Sequence, residues 1–140
     1  MADSLKQRRV YRNVDIAQLG GYRLPPSGVV SILHRISGAV MFLLLPFVIW
    51  MFDTSISSEV SFDRFTSVFN SGVFGIPGFM FKLVALLLIW SFLHHLIAGV
   101  RHLYMDLTHA TDLKFARTTA LATLASSLLL TVVLGYKLFF

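Results

Sequence analysis

Hydrophobic residues in this chain come in long runs rather than in alternation with charge. No Asp, Glu, Lys or Arg falls within residues 36–52, 83–100 or 118–136, runs of 17, 18 and 19 residues. Each is close to the ~20 residues a helix needs to cross the ~30 Å hydrocarbon core of a bilayer. Each is also apolar on every side, without the charged stripe of a helix in a soluble bundle. The pattern predicts an all-α membrane protein with three transmembrane helices, over about 28–52, 79–105 and 115–137, preceded by a basic segment, 1–27.

Local signals refine these elements. In "LPPSGVV" two prolines suit a helix start, with Ser27 placed to cap it. Pro46, inside the first span, predicts a kink. Between the first two spans, "SEVSFDRFTSVFN" spaces Val60, Phe62, Phe65 and Val68 as a short helix lying at the outer surface would.

Composition supports the membrane reading: 56% of residues are apolar and 14% charged, with a mean hydropathy of +0.73, far from ordinary soluble usage. A net charge of +5 is compatible with a nucleic-acid partner, but five of the twelve cations, Lys6, Arg8, Arg9, Arg12 and Arg23, precede the first span. Membrane orientation explains them more simply, so no nucleic-acid partner is expected. The first loop carries Asp53, Glu59 and Asp63 against Arg64, whereas the second carries Lys114 and Arg117 against Asp112. This asymmetry predicts a cytoplasmic N-terminus and an outer, periplasmic C-terminus in a bacterial inner membrane. The basic segment leads into a full-length span without a small-residue cleavage site, so it does not read as a signal peptide. Without cysteine, the chain offers no disulfide, thiolate-held cluster or thiol nucleophile. Any metal here would rest on histidine.

Ionisable groups inside a membrane are costly and usually face a bundle interior, a cofactor or a water-filled path. Here they cluster in the cytoplasmic half: Ser31, His34 and Arg35 on the first span, and His94, His95, Arg101, His102 and Asp106 on the second; His109 reads as a solvated loop residue. With a rise of ~1.5 Å per residue and an interface near Met105, His95 lies ~15 Å deep and His102 ~5 Å deep. A proton path would extend across the full thickness, so a buried redox cofactor with a cytoplasmic polar edge fits better. Positions 95, 99 and 102 share a helix face, which offers an imidazole for haem iron, a small residue for close approach of the macrocycle, and a donor for a propionate beside Arg101. The set His94, Ala98 and Arg101 has the same spacing one residue out of register, and periodicity does not choose between them. For His94 alone, a hydrogen bond to a neighbouring helix is the simpler reading.

On the first span, "SILHRIS" places Ser31 and Arg35 four residues apart with His34 beside them. Hydroxyl and guanidinium donors at the polar edge suit the carbonyl oxygens of a lipid-soluble quinone. The alternative is that Arg35 reaches to lipid headgroups and Ser31 bonds its own helix.

Together, "SILHRISG" (31–38) and "HLIAGVRHLYMD" (95–106) make the chain resemble the cytochrome b subunit of succinate dehydrogenase, the larger membrane anchor of respiratory complex II. The family motifs are Ser-x-x-His-Arg-x-Ser-Gly and His-x-x-x-Gly-x-Arg-His with a following Asp, and both occur in order on the corresponding spans. The resemblance implies His95 as the axial ligand of haem b, with Gly99 in its motif and Arg101 and His102 near the propionates. It implies that Ser31 and Arg35 line a ubiquinone site with His34 near it. It also implies partners: a flavoprotein, an iron–sulfur protein, and a second three-helix anchor that completes the bundle and supplies the other haem ligand. The chain would then serve succinate:ubiquinone oxidoreduction without acting on succinate itself. One departure is "QRRVYRNVDI", where the family often has Arg-Pro, so no role is assigned to Arg8 or Arg9. A fumarate reductase anchor shares this architecture, and a non-redox helical membrane protein is the rival from another class.

Overall fold

A computed structural model describes residues 21–140. Lys6, Arg8, Arg9 and Arg12, most of the basic segment, lie outside the described residues. The described part contains five helices: α1 (Pro26–Leu43), α2 (Leu45–Ile56), α3 (Glu59–Asn70), α4 (Gly78–Thr108) and α5 (Leu113–Phe139). Among the described residues, α1, α4 and α5 are each long and apolar enough to cross a membrane. This is a multi-pass membrane protein.

Helix α1 starts without the expected serine cap. Pro25 is the N-cap residue, and Ser27 already lies within the helix. The Pro25 carbonyl accepts from the amides of Gly28 (2.9 Å) and Val29 (3.1 Å), while Pro26 at the first helical position has no N–H to satisfy. A side-chain cap is therefore unnecessary.

The expected kink is a joint between α1 and α2. Leu44 (φ −89°, ψ 3°) separates them. Pro46 has no amide to donate, and its ring crowds the carbonyl four residues back, that of Phe42. The first span is thus a rod of 18 residues continued by the shorter apolar helix α2. At ~1.5 Å per residue α1 alone covers ~27 Å, close to the hydrocarbon thickness.

The loop helix forms as α3. Ser58 and Ser61 cap it reciprocally, the Ser61 amide donating to Ser58 Oγ (3.2 Å) and the Ser58 amide to Ser61 Oγ (2.9 Å). Its apolar positions divide: Val68 is 6% exposed, packed inward, whereas Val60 is 65% exposed. Val68 therefore holds the last turn of α3 inward, while Phe65 and Phe69 pack edge to face within the helix at 5.1 Å.

Helices α4 and α5 meet along small and polar side chains. Ala120, Thr123, Ser127, Thr131 and Gly135 are the buried residues of α5, recurring every three or four positions. They face the buried Ala85, Ser91, His94, Ala98 and Arg101 of α4. Small residues allow close backbone approach, which drives packing where lipid removes the usual hydrophobic advantage of burial. Large apolar side chains such as Phe42, Leu43, Leu128 and Leu129 point outward, the inverse of a soluble bundle.

Candidate functional site

Two faces of α4 do two different things. One runs along His95, Gly99 and His102 toward α1. The other, His94, Ala98 and Arg101, is buried and meets α5. The two registers that spacing alone could not separate thus both occur, one on each side of the same helix.

On the α1 side three histidines converge. The His34 and His95 rings stack with centroids 4.0 Å apart and planes 17° from parallel, and His102 lies tilted 5.3 Å from His34. Stacked rings do not aim their nitrogens at a common centre, and among the described residues no group of three His, Cys, Asp or Glu is arranged to hold a metal ion. The cluster offers single donors rather than a cage. Nδ1 of His95 lies 3.0 Å from the His34 carbonyl oxygen. A carbonyl only accepts, so Nδ1 carries the proton and Nε2 keeps a free lone pair. The half-buried His95 imidazole is thus anchored at its near nitrogen and keeps the lone pair of the far one for another group. The space over Gly99 is taken by His34, whose Nε2 would lie 3.5 Å from a Cβ at that position.

Ser31 and Arg35 lie one turn apart on α1, Ser31 half-buried and Arg35 exposed. They border the His34 position on the surface of the chain and do not contribute to its interior. Asp106 and His109 are exposed near the end of α4, with His109 in the left-handed region (φ 53°) as the C-cap.

Arg101 differs most from its expected surroundings. It is only 8% exposed and its guanidinium turns to α5, where Nε donates to Thr119 Oγ1 (3.0 Å) and Nη2 to the Ala116 carbonyl (3.1 Å). About two turns earlier on α4, His94 is fully buried, with Nδ1 3.2 Å from Ser127 Oγ and its ring against Trp90 at 5.5 Å. Among the described residues its Nε2 has no partner within hydrogen-bond distance. A hydrogen bond to a neighbouring helix is the role expected for His94 from sequence, and this contact has that form.

Ser37 and Gly38 close the first motif, yet sequence alone assigned them no role. Ser37 is fully buried, and its hydroxyl donates to the His34 carbonyl (2.9 Å) while lying 3.4 Å from His95 Nδ1. The available signal was a serine and a glycine directly after "HRI", small residues at the depth where α4 carries its histidines.

Comparison with known proteins identifies the family. Residues 6–134 match the family model described as "Succinate dehydrogenase/Fumarate reductase transmembrane subunit". The succinate dehydrogenase cytochrome b556 subunit of Coxiella burnetii is 30% identical over 124 residues, covering 88% of this chain and 91% of that protein. The subunit of the same name from Paracoccus denitrificans is 28% identical, covering 79% and 80% respectively. The cytochrome b560 subunit of Reclinomonas americana is also 28% identical, over 80% of this chain and 76% of its own length. With two motifs packed against each other on α1 and α4 and a match over nearly its whole length, the chain belongs to the succinate dehydrogenase/fumarate reductase transmembrane subunit family.

Proposed function

We propose that this chain is the haem b-binding anchor of a succinate:ubiquinone oxidoreductase and forms part of its quinone-reduction site. The observation that carries the reading is the bond between the two motifs: the His34 carbonyl, in the serine–arginine motif of α1, accepts from His95 Nδ1 of the α4 motif at 3.0 Å. A ligand held this way presents Nε2 outward, toward a second subunit that would supply the opposite axial histidine.

In this reading His95 holds the iron, and His102, at the shallow end of the same face, donates to a propionate. Arg101 was expected beside it; two of its five N–H donors engage α5, which ties that side chain to the opposite face, so His102 makes the main propionate contact in our proposal. Haem b, when bound, supplies a one-electron store beside a two-electron acceptor. Ubiquinone docks against the cytoplasmic half of α1, its tail in apolar surroundings. Ser31 donates a hydrogen bond to one carbonyl oxygen. Arg35, exposed and one turn away, stabilises negative charge as it develops on a quinone oxygen, a role for a fixed cation in a low-dielectric setting. His34 lies between the two sites and closes the surface of α1 over Gly99.

The chain binds no succinate in this account. A flavoprotein and an iron–sulfur protein deliver electrons at the cytoplasmic face of a bacterial inner membrane, with the N-terminus inside and the C-terminus periplasmic, as the loop charges support. The names of the relatives favour the succinate-oxidising direction over fumarate reduction.

Replacement of Ser31 by Ala or Arg35 by Leu in the assembled complex tests the quinone site. Succinate-driven ubiquinone reduction should fall at least tenfold while succinate oxidation with an artificial soluble acceptor and haem content stay unchanged. Full ubiquinone turnover in both variants would remove the site from α1.

A further inference from the structure

Gly38 and Ser37 carry no role in the proposed function, yet both lie against the His95 ring. A Cβ on Gly38 would stand 2.9 Å from His95 Cε1 and 3.3 Å from Nδ1. Real Cβ atoms do not approach a neighbour as closely as the first distance, so the imidazole and any side chain at position 38 compete for one space. The ring cannot simply swing aside. Its Nδ1 is tied to the His34 carbonyl, and its face is covered by the His34 imidazole at 4.0 Å. Glycine in the middle of a helix weakens that helix relative to alanine, so its presence here suits a position where space matters. Gly99, the glycine that shares the His95 face, is not in this situation, since its nearest contact is at 3.5 Å, an ordinary van der Waals distance.

Ser37 adds a polar contact. With its own proton donated to the His34 carbonyl (2.9 Å), the hydroxyl oxygen turns lone pairs toward Nδ1–H at 3.4 Å. A serine hydroxyl fully buried in a membrane helix could be satisfied by its own helix alone; this one also touches the histidine across the helix interface.

We propose that the Ser37–Gly38 step of α1 is the seat that positions the His95 imidazole: Gly38 provides the space, and the His34 carbonyl with Ser37 Oγ holds Nδ1–H so that Nε2 faces the iron. Gly38 and Ser37 are positioning residues in this scheme and touch neither quinone nor iron. The proposal rests on His95 as the haem ligand. Hydrogen bonding at Nδ1 fixes ring orientation and raises the basicity of the ligating nitrogen, so the seat governs both haem retention and haem potential.

The experiment uses the purified complete complex in four variants, Gly38→Ala, Ser37→Ala, Ser37→Thr and His95→Ala. The readouts are haem-to-flavin ratio, the low-temperature EPR spectrum of oxidised haem, and its midpoint potential by redox titration. Gly38→Ala should lose haem or shift the EPR signal. Ser37→Ala should retain haem with a shifted signal and potential, and Ser37→Thr, which keeps a hydroxyl, should return both toward wild type. Should Gly38→Ala fail to assemble, the Ser37 pair decides. If His95→Ala loses the haem signal while Gly38→Ala and Ser37→Ala match wild type in all three readouts, the seat is refuted and the ligand stands. A wild-type spectrum in His95→Ala refutes both.

Discussion

Replacing Arg101 by Met separates two roles for a buried guanidinium. In the structure Arg101 joins α4 to α5 through two hydrogen bonds, to Thr119 Oγ1 and the Ala116 carbonyl. Methionine retains much of the apolar stem and removes the charge and both donors. The acceptors left behind are not stranded: Thr119 Oγ1 also donates to the Phe115 carbonyl at 2.9 Å, and Ala116 lies within α5, where its carbonyl can accept along the helix. The loss is then close to the value of the two bonds themselves. Interhelical hydrogen bonds in membranes average ~0.6 kcal/mol and reach ~1.7 kcal/mol, which gives roughly 1 to 3 kcal/mol for the pair. At 1.4 kcal/mol per tenfold change this corresponds to a shift of roughly 5-fold to 140-fold toward the dissociated or unfolded state. Unfolding of the assembled complex in mixed detergent should show that loss, with haem potential and absorption unchanged below the midpoint. Unchanged stability together with a shifted haem potential would refute the reasoning and place the guanidinium at a propionate.

Three further substitutions probe other parts of the fold. Gly99→Ala should leave haem content and assembly near wild type, because its Cβ would meet His34 Nε2 at 3.5 Å; loss of haem would mean that the macrocycle lies against this turn. Ser127→Ala removes the partner of His94 Nδ1 on a ring whose Nε2 already lacks one, and should cost about 1 to 3 kcal/mol as an unsatisfied buried group, read as a lower thermal midpoint of the complex. Ser58→Ala removes one half of the α3 cap and should cost roughly 1 kcal/mol, seen as faster amide exchange at residues 59–62 with activity unchanged.

The three spans were legible because membrane helices carry no charged stripe, and the joint at Leu44 followed from Pro46. The start of α1 was not: Ser27 has the composition of a cap, but the Pro25 carbonyl serves the first amides. At the site, periodicity identified both His95–Gly99–His102 and His94–Ala98–Arg101. It could not say which neighbour each set faces, because that depends on how α1 and α5 are rotated about their own axes. For the same reason Arg101 was expected beside His102, although adjacent positions on a helix point about 100° apart. Gly99 drew attention by sharing a face with His95, whereas the glycine in closest contact comes from across the interface. A contact between Gly38 and His95, 57 residues apart in the chain, leaves no trace in either segment's own pattern.

The central claim is that His95 carries haem. A dithionite-reduced minus oxidised spectrum of membranes containing the complete complex, compared with the same membranes carrying His95→Ala, tests it directly. A b-type band in the first sample that is absent or distorted in the second is the expected result. An identical band in both, or none in the unsubstituted complex, would contradict it.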